Sequence, residues 1–444
     1  MRWMATPESA TPIRCREFPR SCCSATVRSS PDTKGPSPSH SFRLSWMPTS
    51  RRLAALGNGT FARCDRQKLV HRALAERGEA LPLIDLSLGS SDLPPPQPVL
   101  EAMAAALPSP SSSAYCLQAG TAPFRSAVAA WCHRRFGVTV DPDREVQLLI
   151  GSQEGTAHLP LAVLDPGDAA LLLDPCYPSH RGGLILADAD IQALPLREAD
   201  GWRPDLESLP GSAWDRLRLF VLGYPHNPTA RVGDQDLLDQ VMAKGVRHEL
   251  VIAHDNPYVD LALEGEAPSL LCSPGWRFWG IEFFSLSKGW GLGGFRLAFA
   301  VGAPPLIEAL GQVKAVVDFN QSLALQRGGI TALTQCADWP QRLRTTYRSR
   351  RDGVLAALAE RKWGVPCPEM GMYLWMPLPS RALERGWSDE QVASDLLRGS
   401  GVALTPGSGF GSQGSGWLRM ALVRPVEELQ LAVDRLAEAL AALD

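Results

Sequence analysis

The run Ser285-Leu286-Ser287-Lys288-Gly289-Trp290-Gly291-Leu292-Gly293-Gly294-Phe295-Arg296 carries a dense set of reactive residue types. A lysine stands between two hydroxyls and a glycine cluster, with an arginine eight residues beyond it. The apolar stretch Ile281-Glu282-Phe283-Phe284 reads as a buried strand leading into the run. An apolar setting disfavours the ammonium form, so the amine of Lys288 is more readily a nucleophile. The set suits a lysine bound to a carbonyl cofactor that also carries a phosphate. Three other readings compete with it. Gly289 to Gly294 formally fits G-x-G-x-x-G, but no acid stands clearly about twenty residues on, Glu308 being early and Asp318 late. The segment after Arg296 also reads as a strand and not a long helix. A phosphate loop of the G-x-x-x-x-G-K-[ST] type fails because the lysine precedes the glycines. The third rival is a surface loop with an ordinary lysine.

Other residues fit the same chemistry. Asp255-Asn256-Pro257-Tyr258 follows a strand reading from His248 to His254. A carboxylate at a strand's carboxyl end is well placed to meet a ligand in an open α/β sheet and can keep a pyridine nitrogen protonated. Tyr258 can hydrogen-bond a phenolic oxygen. Asn227, in Tyr224-Pro225-His226-Asn227-Pro228-Thr229-Ala230 after the strand Arg218 to Gly223, can donate its amide hydrogen to an anionic ring oxygen. Both segments are also good turn chemistry without any function.

These residues need elements to hold them. Val146 to Ile150 reads as a strand that enters Gly151-Ser152-Gln153, then a helix from about Thr156 to Leu164 with Pro160 early in it. Strand, glycine, serine and helix start present N–H groups and a hydroxyl to an anion. Ala169 to Asp174 reads as another strand, ending in Pro175-Cys176-Tyr177, whose ring can stack on a cofactor.

Taken in order, Gly-Ser-x-x-Gly, Tyr-Pro, Asn-Pro-Thr, Asp-x-x-Tyr, Ser-x-Ser-Lys and Arg resemble the class I/II aminotransferases of the aspartate-aminotransferase fold type, from about Leu83 to Leu443. The resemblance implies pyridoxal 5'-phosphate as cofactor. It implies that Lys288 binds the cofactor's carbonyl covalently and later carries a proton. It further implies Asp255 at the pyridine nitrogen, Tyr258 and Asn227 at the ring oxygen, and Tyr177 stacked on the ring. Ser152, Gln153, Ser285 and Arg296 then surround the phosphate, with Ser287 a further cofactor-binding residue. Arg419, in Trp417-Leu418-Arg419-Met420-Ala421-Leu422, takes the substrate's α-carboxylate, which a guanidinium fork matches bidentately. Gly89 lies on the substrate side. Tyr115 reaches the phosphate of a neighbouring subunit and Asn320 also crosses, so a homodimer with shared sites is implied. Two positions depart from the family: Ala230 stands where glycine is usual, so the turn must avoid positive φ or accept strain, and Met370 precedes Gly371 where a smaller residue is commoner. Both are expected near the substrate side.

The implied fold is α/β: a large domain with a mostly parallel sheet between helices, and a smaller α+β domain formed by the C-terminal region and the N-terminal segment. The expected divisions are residues 1–47, an N-terminal extension; 48–105, an arm contributing to the small domain; 106–335, the cofactor-binding domain; and 336–444, the small domain. Within these, Gln67 to Arg77 reads as a helix with Leu69, Val70, Ala73 and Leu74 apolar, and Asp85 to Gly89 as a short strand. A charged helix from about Gln341 to Arg361, strands near Tyr373 and Trp417 and an amphipathic helix from Val426 to Leu443 complete the reading.

The chain of 444 residues, 45% hydrophobic, is ample for two domains. A net charge of −3 gives no case for nucleic acid, and no apolar run reaches membrane-span length. Ten cysteines without C-x-x-C fit a reducing compartment, and neither they nor the eight histidines signal a metal. Residues 1–47 are basic and rich in serine and proline; they read as a disordered transit peptide, with a plastid destination, or as an extension ahead of a first residue at Met47 in a cytoplasmic protein. The expected reaction is ping-pong transamination of an amino acid and a 2-oxo acid, with LL-diaminopimelate or succinyl-diaminopimelate and 2-oxoglutarate as the expected pair. Two alternatives stand beside it: a pyridoxal-phosphate β-lyase acting on cysteine conjugates, and a non-enzymatic cofactor-binding regulator.

Overall fold

The computed structural model describes residues 51–56, 59–116 and 119–442; the expectations for residues 1–47 lie outside the described residues. Twelve strands are present among them: β1 Ile84–Asp85, β2 Val146–Leu149, β3 Ala169–Asp174, β4 Asp190–Pro195, β5 Leu217–Leu222, β6 Val251–Asp255, β7 Gly280–Ser285, β8 Ala298–Gly302, β9 Tyr373–Pro377, β10 Val402–Ala403, β11 Thr405–Pro406 and β12 Trp417–Ala421. Seven form one sheet in the order β2-β8-β7-β6-β5-β3-β4. Strands β3, β6, β7 and β8 are buried at every position. Such near-continuous apolar runs belong to sheets covered on both faces. Trp131, on the helix Ala122–Phe136, packs edge-on against Phe284 and Phe299 and helps seal one face.

The register explains how separate motifs meet. Strands β3, β5, β6 and β7 run parallel, so Asp174, Leu222, Asp255 and Ser285 end on one edge of the sheet. Strand β8 is antiparallel to both β7 and β2, and Ala298 lies between Ser285 and Leu149. The loop before β8, which carries Arg296, therefore comes back to the same edge that Gly151 leaves. That antiparallel return also removes the dinucleotide reading of the glycine run. Around Lys288 there is only one turn of helix, Leu286–Gly289, and after it a 3₁₀ turn, Gly293–Phe295, before β8.

The second sheet is small and antiparallel, β11-β12-β9, with the helices Trp339–Glu360, Asp389–Ser400 and Val426–Ala442 around it. The N-terminal segment docks on this lobe. β1 pairs parallel with β10, and the N–H of Ala421 donates to the carbonyl of Leu86 at 2.8 Å.

Three local expectations need correction. The N-terminal helix runs over Thr60–Glu76, and it buries Lys68 and His71 while Leu69 and Val70 are each 62% exposed. The buried stripe is thus the polar one, because Asp85, Ser87 and the carbonyl of Leu81 wait there as partners. The helix after Gly151 spans Ser152–Val163, so Pro160 lies late in it and not early. His248 ends the helix Gln235–His248 instead of opening a strand; Glu249 at φ 50° turns the chain into β6.

Candidate active site

A cavity of about 580 Å³ opens at the carboxyl edge of the large sheet. Lys288, Ser152, Gln153, Tyr177, Asn227, Asp255, Tyr258, Ser285, Ser287, Arg296, Gly89 and Arg419 all line it. Tyr115 and Asn320 do not line the cavity of their own chain. Tyr115 is 94% exposed and sets its ring against Phe319, the neighbour of Asn320.

At one end sits an anion cradle. Gly151 has φ 83°, and a Cβ there would lie 2.2 Å from Arg296 Nη2, so glycine is required both by conformation and by the close approach of the guanidinium. The helix that starts at Ser152 aims its free N–H groups at the same place. The hydroxyl of Ser287 is buried and unpartnered, while Ser285 Oγ accepts from the N–H of Ser287 at 3.2 Å. Tyr177 donates to Gln153 Oε1 at 3.2 Å. Behind the cradle, Glu154 Oε2 accepts from the N–H of Ile150 at 3.0 Å and pairs with Lys314 Nζ at 2.7 Å. Glu154, His158 and Asp318 approach the spacing of a metal site, but the ammonium of Lys314 already lies against both carboxylates.

In the middle stand the lysine and the acid. Burial pushes the amine of Lys288 below its ordinary value, with the charges of Arg419 and Arg296 adding to the effect. Its Nζ donates to the carbonyl of Gly89. One oxygen of Asp255 is held by His180 Nε2 at 3.0 Å, whereas Oδ1 is buried and unpartnered. The carboxylate therefore has a fixed orientation and a spare acceptor.

At the other end is Arg419, buried between the rings of Tyr373 and Phe410, which lie 4.3 Å and 4.8 Å from its Cζ. Its Nη1 donates to Asn227 Oδ1 at 2.7 Å, and its Nη2 to the carbonyl of Ser87 at 2.8 Å. Asn227 Nδ2 lies 3.4 Å from Tyr258 Oη, which lies 3.0 Å from Tyr373 Oη. Burial opposes ionisation of Tyr373, yet Arg419, Lys288 and the hydrogen bond from Tyr258 outweigh it and hold this phenol below its ordinary value. Tyr258, buried beside that phenol, is pushed well above its own. A Cβ on Gly89 would lie 1.7 Å from Tyr373 Oη, so only glycine lets this loop pass the phenol.

Sequence reasoning missed His180 and Tyr373. His180 stands three residues after Tyr177 in the helix Pro178–Leu186, one turn further on the same face, and that spacing was the available signal. Tyr373 has no local signal; its partners come from residues 89, 258 and 419. The two departures from the family pattern turn out to be neighbours. Ala230 adopts φ 58°, accepting the strained conformation, and its carbonyl receives the N–H of Met370 at 3.1 Å. Both are fully buried, and neither lines the cavity.

The chain matches the family described as aminotransferase class I and II over residues 82–436. It is 36% identical over 399 residues to the LL-diaminopimelate aminotransferase of Moorella thermoacetica, covering 90% of this chain and 100% of that one. The enzyme of the same name from Nitratidesulfovibrio vulgaris (strain Miyazaki F) is 38% identical over 391 residues, 87% of this chain and 97% of its own. Among solved structures, a probable N-succinyldiaminopimelate aminotransferase from Thermus thermophilus superposes with a TM-score of 0.80 at 42% identity, covering 86% of this chain and 100% of that one.

Proposed function

Because this chain belongs to the class I and II aminotransferases, we propose that it exchanges an amino group between LL-diaminopimelate, or its N-succinyl form, and 2-oxoglutarate. Aminotransfer with pyridoxal 5'-phosphate is the activity of the family. The cavity fits that cofactor: the unpartnered Asp255 Oδ1 suits a protonated ring nitrogen, and the Gly151–Arg296 cradle suits a phosphate. Lys288, Asp255, Asn227, Tyr258, Tyr177, Ser152, Gln153, Ser285, Ser287 and Arg296 would hold it. When bound, the cofactor supplies a carbonyl for amine exchange and an electron sink for the substrate's α-carbon.

The side chains divide the remaining work. Lys288 Nζ, whose ammonium form burial disfavours, takes the α-proton and returns it. Asp255, oriented by His180, keeps the ring nitrogen protonated. Arg419, held by Asn227 and Ser87, orients the α-carboxylate with a preformed fork. The observation that carries the substrate is the likeness to LL-diaminopimelate aminotransferases along 97% or more of the lengths of the two relatives named above. The reading includes a homodimer in which Tyr115 and Asn320 serve the other subunit's site, supported by the exposure of Tyr115 beside Phe319. It also places the enzyme in the cytoplasm; among the described residues no helix is long and apolar enough to cross a membrane.

A donor screen tests the proposal. The purified holoenzyme is given 2-oxoglutarate with LL-diaminopimelate, its N-succinyl form, aspartate, alanine, aromatic amino acids or cystathionine, and glutamate is measured. We expect kcat/KM for one of the two diaminopimelate donors to exceed every other by about tenfold or more, the discrimination that about 1.4 kcal/mol of differential binding gives. A better donor elsewhere in the panel, or pyruvate and ammonia released from cystathionine without 2-oxoglutarate, overturns it.

A further inference from the structure

The helix Thr60–Glu76 buries a lysine that the chemistry above leaves unused. Lys68 is 4% exposed, and its Nζ donates to Asp85 Oδ2 at 3.1 Å and Ser87 Oγ at 3.0 Å. Asp65 Oδ1 lies 2.8 Å away on the solvent side. Asp85 Oδ1 accepts from both Oγ and N–H of Ser87, at 2.6 and 3.1 Å. Burial resists a charge on Asp85, yet Ser87 and Lys68 outweigh it and hold its carboxyl below the usual range. An apolar residue docks a helix at less cost than a buried ammonium, whose desolvation must be offset by its partners.

Ser87 faces two ways. Its side chain belongs to the Lys68–Asp85 knot. Its carbonyl accepts from Arg419 Nη2 at 2.8 Å and from Thr405 Oγ1 at 2.8 Å. Two residues on, the carbonyl of Gly89 receives Lys288 Nζ. Ser87 is therefore the joint through which the helix Thr60–Glu76, whose first turn also lends Phe61 to the cavity wall, fixes one acceptor of the cavity's buried guanidinium.

We propose that Lys68 is a positioning residue for carboxylate recognition: its ion pair with Asp85 and hydrogen bond to Ser87 fix the carbonyl that aims Arg419. The proposal rests on the reading of Arg419 as the partner of the α-carboxylate. Without the knot the carbonyl of Ser87 is less firmly placed, the guanidinium loses a fixed acceptor, and substrate binding weakens, while Gly89, held apart from the knot against Tyr373, keeps its place beside Lys288.

The test compares Lys68→Met and Ser87→Ala holoenzymes with the parent and with Arg419→Lys. Ser87→Ala keeps the main-chain carbonyl and stands in if Lys68→Met does not fold. The probe is 2-methylglutamate, which has an α-carboxylate and no α-proton, with Kd read by calorimetry. Both knot variants are expected to raise Kd about fivefold, the effect of weakening a hydrogen bond to a charged group by about 1 kcal/mol. Turnover at saturating donor stays within about twofold, and the cofactor's absorption band and affinity are unchanged. In the Arg419→Lys background, Lys68→Met adds no further loss. An unchanged Kd in the folded variants, a loss seen in kcat or cofactor affinity instead, or full additivity with Arg419→Lys overturns the proposal. If Arg419→Lys itself leaves Kd unchanged, the reading of Arg419 falls with it; if only Arg419→Lys weakens binding, that reading stands and Lys68 alone is excluded.

Discussion

The two ends of the cavity are built in different ways. The proposed cofactor end hangs from the carboxyl edge of one mostly parallel sheet, where β3, β5, β6 and β7 each end in a short loop that delivers its own residue. Each loop follows directly on a buried strand, so its position is set by ladder register. The carboxylate end draws on several frames: the small β11-β12-β9 sheet, the N-terminal segment and one loop of the large sheet. Arg419 comes from β12, Tyr373 from β9, Phe410 from a 3₁₀ turn, Ser87 from the N-terminal segment and Asn227 from the loop after β5. Its geometry depends on hydrogen bonds between chain-distant pieces. The proposed chemistry thus sits on the edge of one sheet, and the proposed carboxylate recognition where several chain-distant pieces meet.

The largest expected effect removes what both ends serve. Lys288→Ala should lower turnover by at least about a thousandfold and abolish the absorption of the lysine-bound cofactor, measured by single-turnover kinetics and visible spectra. Turnover within tenfold of the parent would dissolve the division altogether. Next comes Asp255→Asn, which keeps the shape and the contact with His180 but not the charge. We expect kcat to fall about a hundredfold with KM nearly constant, because the carboxylate serves chemistry and not substrate binding. A change mainly in KM would erase the contrast with Arg419, whose loss should act on binding.

The last expected effect is on stability and not on turnover, and lies on the turn that joins the two ends. Burial pushes His226 down to about 3, helped by the charge of His180. The unfolded chain titrates this group near its usual value of about 6.5, so between about pH 6.5 and 3 it binds a proton that the fold refuses. Stability is therefore lost as pH falls through that window, by up to about 1.4 kcal/mol per pH unit for one proton. His226→Asn should flatten this part of the curve, measured from urea midpoints between pH 7 and 4. An unchanged slope would show that the turn is not acid-sensitive through this residue.

Legibility in the sequence follows the same contrast. Gly151-Ser152, Tyr177, Asn227, Asp255 and Ser285 to Arg296 each sit one strand end away from an apolar run, so local pattern is enough to find them. The helix Thr60–Glu76 defeats an apolar-stripe reading because its buried residues, Lys68 and His71, are polar; their partners lie on the segment that follows, beyond any helical period. At Ala230 the sequence leaves a choice between positive φ and a different turn. The fold decides for φ 58° because the carbonyl of His226 and the N–H of Met370 both hold the residue there.

The sequence by itself determined most strands of the large sheet and the strand-end loops that line the cavity, Lys288 among them, since buried β runs and turn residues are local properties. Only the tertiary structure decided that β8 returns antiparallel to bring Arg296 beside Gly151, that His180 orients Asp255, and that Ser87 and Arg419, 332 residues apart, share one hydrogen bond. Those outcomes depend on strand register and on which distant polar groups find one another when water is excluded, and no local pattern encodes either.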